Sequence, residues 1–187
     1  MIKNIKNIPP NIKSVLIIGS GPILIGQAAE FDYSGVQTSL SLREVGIKTI
    51  VVNSNPATIQ TDPSMADKVY LEPLNVASLE NIIVKERPDG IIMTAGGQTA
   101  LMLGLELYDQ GILEKYEVKI LGTTPENIRG GENRGLFRDI MLEINEPVLK
   151  SFYAEDVSGA IAFAEKIDYP VILRCAFTLG GTGSTTA

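Results

Sequence analysis

The chain has 187 residues, 44% hydrophobic and 20% charged, with a formal net charge of -6, which suits one medium domain, or one domain plus part of another. The acidic balance argues against nucleic acid as the main partner, and the absence of histidine excludes a Ser-His triad or a His-ligated metal within the chain. Cys175 is the only cysteine, so no internal disulfide can form and a reducing, cytoplasmic compartment is expected.

Met1-Ile-Lys-Asn-Ile-Lys-Asn carries positive charge but no continuous apolar core, so no signal peptide is expected, and no apolar run reaches membrane-spanning length. Short runs rich in Ile and Val then recur at Val15–Ile18, Thr49–Val52, Lys68–Leu71, Gly90–Met93 and Lys119–Leu121. They read as parallel strands buried on both faces. Helical patterns lie between them, over Gly26–Val45 with Gly46 as C-cap, over Val76–Glu86 ahead of Pro88, and over Thr99–Leu107. Such alternation predicts an α/β fold, a doubly wound parallel sheet with right-handed crossovers.

The first strand enters a turn with Gly19, Gly21 and then Gly26. A dinucleotide fingerprint needs its third glycine two residues sooner, and an acid where Asn53 stands after the second strand. A structural turn and a nucleotide loop are the two readings of this stretch. The polar loop Asn53-Ser-Asn-Pro-Ala-Thr-Ile-Gln-Thr-Asp62 sits where α/β sheets form their ligand crevice. Asn53 and Asn55 are candidate cleft residues there, against the alternative of an Asx-rich connection. Thr94-Ala-Gly-Gly-Gln-Thr99 follows the fourth strand. Thr94, Gly96, Gly97 and Gln98 are cleft candidates, against a plain strand–helix turn with Thr99 as N-cap.

From Gly122 the character changes. Thr124 and Pro125 start a helix, and a second runs over about Arg134–Ile144. A strand candidate at Val148–Phe152, a helix over Asp156–Ile167 and a strand over Pro170–Arg174 follow. The run Leu179-Gly-Gly-Thr-Gly-Ser offers a nest of backbone N–H groups for a phosphate, with Arg174 one strand-end upstream. No Lys follows these glycines, so it is not a Walker A loop; the bland alternative is a hairpin tip. Too little chain follows to expect a partner strand, and unpaired strand edges in this region would invite self-association.

Taken in order, Gly19-Ser-Gly-Pro-Ile, Gly26-Gln-Ala-Ala-Glu-Phe-Asp-Tyr-Ser-Gly35, Asn53-Ser-Asn-Pro-Ala-Thr-Ile, Glu86-Arg-Pro-Asp89, Gly96-Gly-Gln-Thr-Ala-Leu101 and Leu173-Arg174 with Thr178-Leu-Gly-Gly-Thr-Gly183 resemble the carbamoyl-phosphate synthetase large subunit, in its first, carboxyphosphate-forming half. The resemblance implies a pre-ATP-grasp domain over 1–123 and the start of an ATP-grasp domain over 124–187. It implies phosphorylation of bicarbonate by ATP and displacement of that phosphate by ammonia. The whole reaction uses two ATP and feeds arginine and pyrimidine biosynthesis. It implies a glutamine amidotransferase small subunit and the remainder of the large subunit as partners, with no nucleic acid and no membrane. Carried onto this sequence, the ATP-contacting positions are Arg134, Arg174, Gly180 and Gly181. The Mg2+ or Mn2+ ligands are expected beyond residue 187, so this chain alone is expected to lack synthetase activity. It departs from the family pattern at Cys175, where proline is usual, at Ser184-Thr-Thr after the glycines, and in the glycines around Arg134. A dinucleotide-dependent oxidoreductase and a non-catalytic subunit-contact module are the alternative functions.

Overall fold

Ser14–Ile18 is five residues with apolar side chains at four, and a strand of that composition is stable only with both faces covered. The computed structural model, which describes residues 11–22, 30–174 and 183–187, places this strand, β1, at the centre of a five-stranded sheet. The other strands are β2 (Lys48–Asn53), β3 (Lys68–Leu71), β4 (Gly90–Ile92) and β5 (Lys119–Ile120). All pairings are parallel and the order is β3-β2-β1-β4-β5. The direction of winding reverses between β1 and β4, so the switch point of a doubly wound sheet lies there.

Helix α1 (Glu30–Glu44) joins β1 to β2 and ends at Gly46, whose φ of 83° is the left-handed cap expected from sequence. Leu42 and Val45 at its end pack on the sheet face made by Val15, Ile17 and Val51. The pleat turns Leu16, Ile18, Ile50 and Val52 to the opposite face, and these too are wholly buried. Helix α2 (Val76–Glu86) buries Leu79, Ile82 and Ile83, and it touches α3 (Gly97–Asp109). Its bounds are those expected from sequence. Asn75 caps it by accepting from Ser78 N at 2.9 Å. Thr99 lies inside α3 and does not cap it, because a 3-10 turn over Thr94–Gly96 starts the coil earlier. A short α4 (Ile112–Lys115) leads into β5.

Asp89 fastens the amino ends of β1 and β4. Its Oδ2 accepts from Lys13 N and Ser14 N, both at 2.9 Å, and from Ser14 Oγ at 3.0 Å. The backbone donor of Lys13, with those of Ser14, holds this carboxyl below the usual aspartate range. Its contribution to folding is therefore present above the unfolded pKa of about 4 and is lost as pH falls through the lower folded value. Asp89→Ala is expected to lower stability by about 2 kcal/mol at neutral pH. Urea titrations of both proteins from pH 7 to 2.5 check this, since the gap between them should shrink below pH 4. A gap constant across that range would contradict the assignment.

The chain divides into two compact units, Met1–Pro125 and Glu126–Ala187. The break runs through α5 (Pro125–Glu132), which α6 (Arg134–Glu143) follows. Helix α7 (Val157–Ile167) is capped by Asp156, whose Oδ1 accepts from Gly159 N at 2.7 Å. The expected strand at Val148–Phe152 is absent: the stretch is irregular and Leu149 is 90% exposed. Phe152 finds a side-chain partner instead of a ladder, stacking on Phe163 of α7 at 5.1 Å. A partner strand does form at the end of the chain, contrary to expectation. β6 (Ile172–Leu173) pairs antiparallel with β7 (Thr185–Thr186), because a two-residue strand needs far less chain than a typical one. No helix among the described residues is long and apolar enough to cross a membrane.

Candidate functional site

The carboxyl ends of β1, β2 and β4 meet where a doubly wound sheet places its ligand crevice. Gly19 continues the ladder, its N–H donating to Val52 O at 2.8 Å. Ser20 is buried, with its Oγ 3.4 Å from Asp32 Oδ1 on the first turn of α1. Gly21 has a φ of 70°, so the turn itself requires glycine.

The loop after β2 folds inward over this turn. Asn53 is wholly buried, and its Oδ1 accepts from Asn55 N at 2.9 Å. Asn55 in turn accepts from Ala57 N at 3.0 Å, so two successive Asx turns coil the loop. Thr58 then caps a 3-10 turn over Ile59–Thr61 by accepting from Gln60 N at 3.1 Å. The result drives Gln60, a loop residue, to complete burial, where its Oε1 accepts from Asn53 Nδ2 at 2.7 Å. The pair lies directly on Gly19 and Gly35: a Cβ added to Gly19 would lie 2.8 Å from Asn53 Cγ, and one on Gly35 2.8 Å from Gln60 Cδ.

Gly96 and Gly97 close the other side. A Cβ on Gly96 would lie 2.6 Å from the Gly19 carbonyl carbon and would overlap Ile18 O. Gly97 has a φ of 63°, and the Phe31 ring covers the place a Cβ would take, 2.7 Å away at its nearest atom. The structure thus brings Asn53, Gly96 and Gly97 together around Gly19, each pressed on the protein's own atoms. Asn55 and Gln98 are half-buried at the rim, and Thr94 is exposed. Asn53 faces the interior, and no carboxylate takes the ribose-binding place that a dinucleotide needs at this strand end.

The other candidates lie in the second unit. Arg134 is exposed on the first turn of α6, where Asn133 caps the helix by accepting from Leu136 N at 3.0 Å. Arg174 is exposed directly after β6. A guanidinium offers a planar fork of donors that matches phosphate oxygens, and a capped helix start adds partial positive charge beside Arg134. Gly180 and Gly181 lie outside the described residues, as do Ile23, Leu24, Gly26, Cys175, Thr178 and Thr182. Among the described residues no three Asp, Glu or Cys side chains gather closely enough to hold a metal ion.

Sequence reasoning missed Gln60 and Phe31. The signal for Gln60 was local: two asparagines in a row of polar turn formers mark a loop that bonds to itself, so an amide inside it can be carried inward. Phe31 gave no signal, because its partner Gly97 is far away in sequence.

The family model described as "Carbamoyl phosphate synthase preATP-grasp domain" matches residues 11–130, and that described as "Carbamoyl-phosphate synthase L chain, ATP binding domain" matches residues 133–187. The carbamoyl phosphate synthase large chain of Clostridium perfringens is 60% identical over 177 residues, which are 95% of this chain and 17% of that one. That of Clostridium botulinum (strain Eklund 17B) is 58% identical over the same shares. The chain therefore spans about a sixth of the length of these relatives. Among solved structures, the biotin carboxylase domain of Hydrogenobacter thermophilus 2-oxoglutarate carboxylase, solved with MgADP, ADP and bicarbonate, superposes with a TM-score of 0.69 at 17% identity, covering 94% of this chain and 37% of that one. N5-carboxyaminoimidazole ribonucleotide synthetase from Thermotoga maritima gives 0.62 at 15% identity, over 94% and 41%. At such identities the likeness speaks for the fold.

Proposed function

The chain belongs to the carbamoyl phosphate synthase large-chain family, and from that premise we propose that it forms part of an ATP-dependent ligase that phosphorylates bicarbonate and passes the product to ammonia, giving carbamate on the way to carbamoyl phosphate. The observation that carries this reading is the succession of the two matched domains along one chain, pre-ATP-grasp then ATP-binding, over 11–130 and 133–187. In this reading residues 1–123 are a scaffold and 124–187 begin the nucleotide-handling part.

The first unit supports the division of labour. Its crevice at the switch point is lined by paired amides and by glycines packed against the protein's own atoms, so it offers structure where a dinucleotide oxidoreductase would offer a ribose-binding acid. In the second unit Arg134 and Arg174 would offset charge on the ATP phosphates, and the backbone N–H groups of Gly180 and Gly181 would cover them. Mg2+ would neutralise the charge that develops during phosphoryl transfer. In this reading, as the family resemblance implies, its ligands belong to the remainder of the large chain. That remainder and the amidotransferase that supplies ammonia are the proposed partners, the cytoplasm the proposed location, and arginine and pyrimidine synthesis the pathways served.

The test joins this chain at Ala187 to the remainder of the Clostridium perfringens large chain and follows ATP hydrolysis with and without bicarbonate. Bicarbonate-dependent hydrolysis is expected. Arg134→Ala and Arg174→Ala should each raise the KM for ATP about tenfold, the loss of one charge-assisted contact. Hydrolysis indifferent to bicarbonate, or an unchanged KM in both variants, would overturn the reading.

A further inference from the structure

β3 ends the five-stranded sheet on one side, and among the described residues it pairs only with β2. An edge of this kind carries a row of unpaired backbone groups, which natural sheets keep short, cover or guard with charge. The sheet's other edge strand, β5, is only two residues long. β3 is four, Lys68-Val-Tyr-Leu71, with Glu72 next and Pro73 closing the run. Its β-branched and aromatic side chains suit pairing, and Leu71 is 55% exposed.

The strand is held ready for a partner. Just before it, Asp67 Oδ2 accepts from Thr49 N at 2.8 Å, and within it Tyr70 Oη donates to Glu86 Oε1 at 2.7 Å. Lys48 Nζ stands 2.8 Å from Glu86 Oε2, and Lys85 Nζ lies 5.0 Å from the centre of the Tyr70 ring. Backbone already fixed in this way loses little freedom on pairing. Lys68 and Glu72 are exposed and form no salt bridge among the described residues.

The order of the charges chooses the occupant. Antiparallel pairing with a second copy, about a two-fold axis at Tyr70, sets Lys68 opposite Glu72, Val69 opposite Leu71 and Tyr70 opposite Tyr70. The pleat puts Lys68, Tyr70 and Glu72 on one face and Val69 and Leu71 on the other. Each cross-strand pair is then matched in kind: an ion pair at either end, an aromatic pair on the axis, and apolar pairs on the face where Val69 already packs on the core. A slip of two residues breaks both ion pairs, and in one direction it also draws Pro73, which has no N–H to give, into the ladder. Lys68 thus guards the edge against strands that bring no acid opposite it, and a copy of the same strand brings one. We propose that the β3 edge is a self-complementary interface through which two copies of this chain join their five-stranded sheets edge to edge.

One strand per copy makes a small interface of the transient class, so sedimentation of the 187-residue chain is followed up to about 1 mM. A reversible monomer–dimer equilibrium is expected. Lys68→Glu and Glu72→Lys each set like charges opposite one another at both ends of the ladder, and each should weaken the dimer about tenfold. In the double variant opposite charges face each other again, so its affinity should return to within about threefold of the parent. Disulfide trapping reads the register independently of affinity. In a Cys175→Ser background, oxidising an equimolar mixture of Lys68→Cys and Glu72→Cys proteins should give the mixed dimer. Neither protein alone should cross-link, because its two cysteines would lie about 13 Å apart along the strands. A chain that stays monomeric, or a double variant as weak as the single ones, would overturn the proposal. So would a dimer that is indifferent to both reversals and gives no mixed disulfide, since its contact would lie on another surface.

Discussion

Gly96→Ala is expected to cost the first unit about 3 kcal/mol, because the added methyl would meet backbone that cannot turn aside. Its Cβ would lie 2.6 Å from the Gly19 carbonyl carbon and would overlap Ile18 O, both on the turn that ends β1. A side-chain neighbour could change rotamer, but here the sheet and α3 would have to separate. The φ of Gly96 is -116°, on the side of the map open to alanine, so the cost comes chiefly from space. Gly131→Ala provides the contrast. Nothing lies within 4 Å of its notional Cβ, and inside α5 alanine is the better helix former by up to about 1 kcal/mol. Urea unfolding followed by circular dichroism decides the matter. If Gly96→Ala falls within 0.5 kcal/mol of the parent, the close approach of the two glycine turns is wrong.

Gln60→Ala should cost a similar amount, about 3 kcal/mol, for a different reason. It removes a wholly buried side chain and leaves Asn53 Nδ2, now 2.7 Å from Gln60 Oε1, without that acceptor. Asn53→Ala also deprives Asn55 N of its partner, so the loop should loosen as well as the core. The two changes share one hydrogen bond, so the double variant should cost less than their sum by about 1 kcal/mol or more. Gln60 Nε2 is buried with no hydrogen-bond partner among the described residues. Gln60→Met keeps the volume and removes that donor, so it should cost less than Gln60→Ala. Strict additivity in the cycle would show that Asn53 and Gln60 act separately, and the picture of an amide plug would fail.

Both effects come from contacts that the sequence shows only in part. The glycines were visible, but their meaning was not. Gly96 and Gly97 suited a ligand approach and a tight turn equally well until Ile18, Gly19 and Phe31 were found against them. Strands β1 to β5 were legible because Val and Ile runs buried on both faces admit few other conformations, and α2 was legible because its apolar pattern stops ahead of Pro88. Val148–Phe152 has the same local look as a strand yet pairs with nothing among the described residues, since a strand exists only with a neighbour. Conversely, Thr185–Thr186 carries almost no strand signal and pairs, because β6 lies within reach.

By itself the sequence determined the class of fold and the family, since those rest on residue types in order along the chain. Only the tertiary structure decided that Asn53 turns inward to Gln60 and that the paired glycines serve close packing. Each of these depends on which distant atoms fill a given space, and local sequence does not encode that.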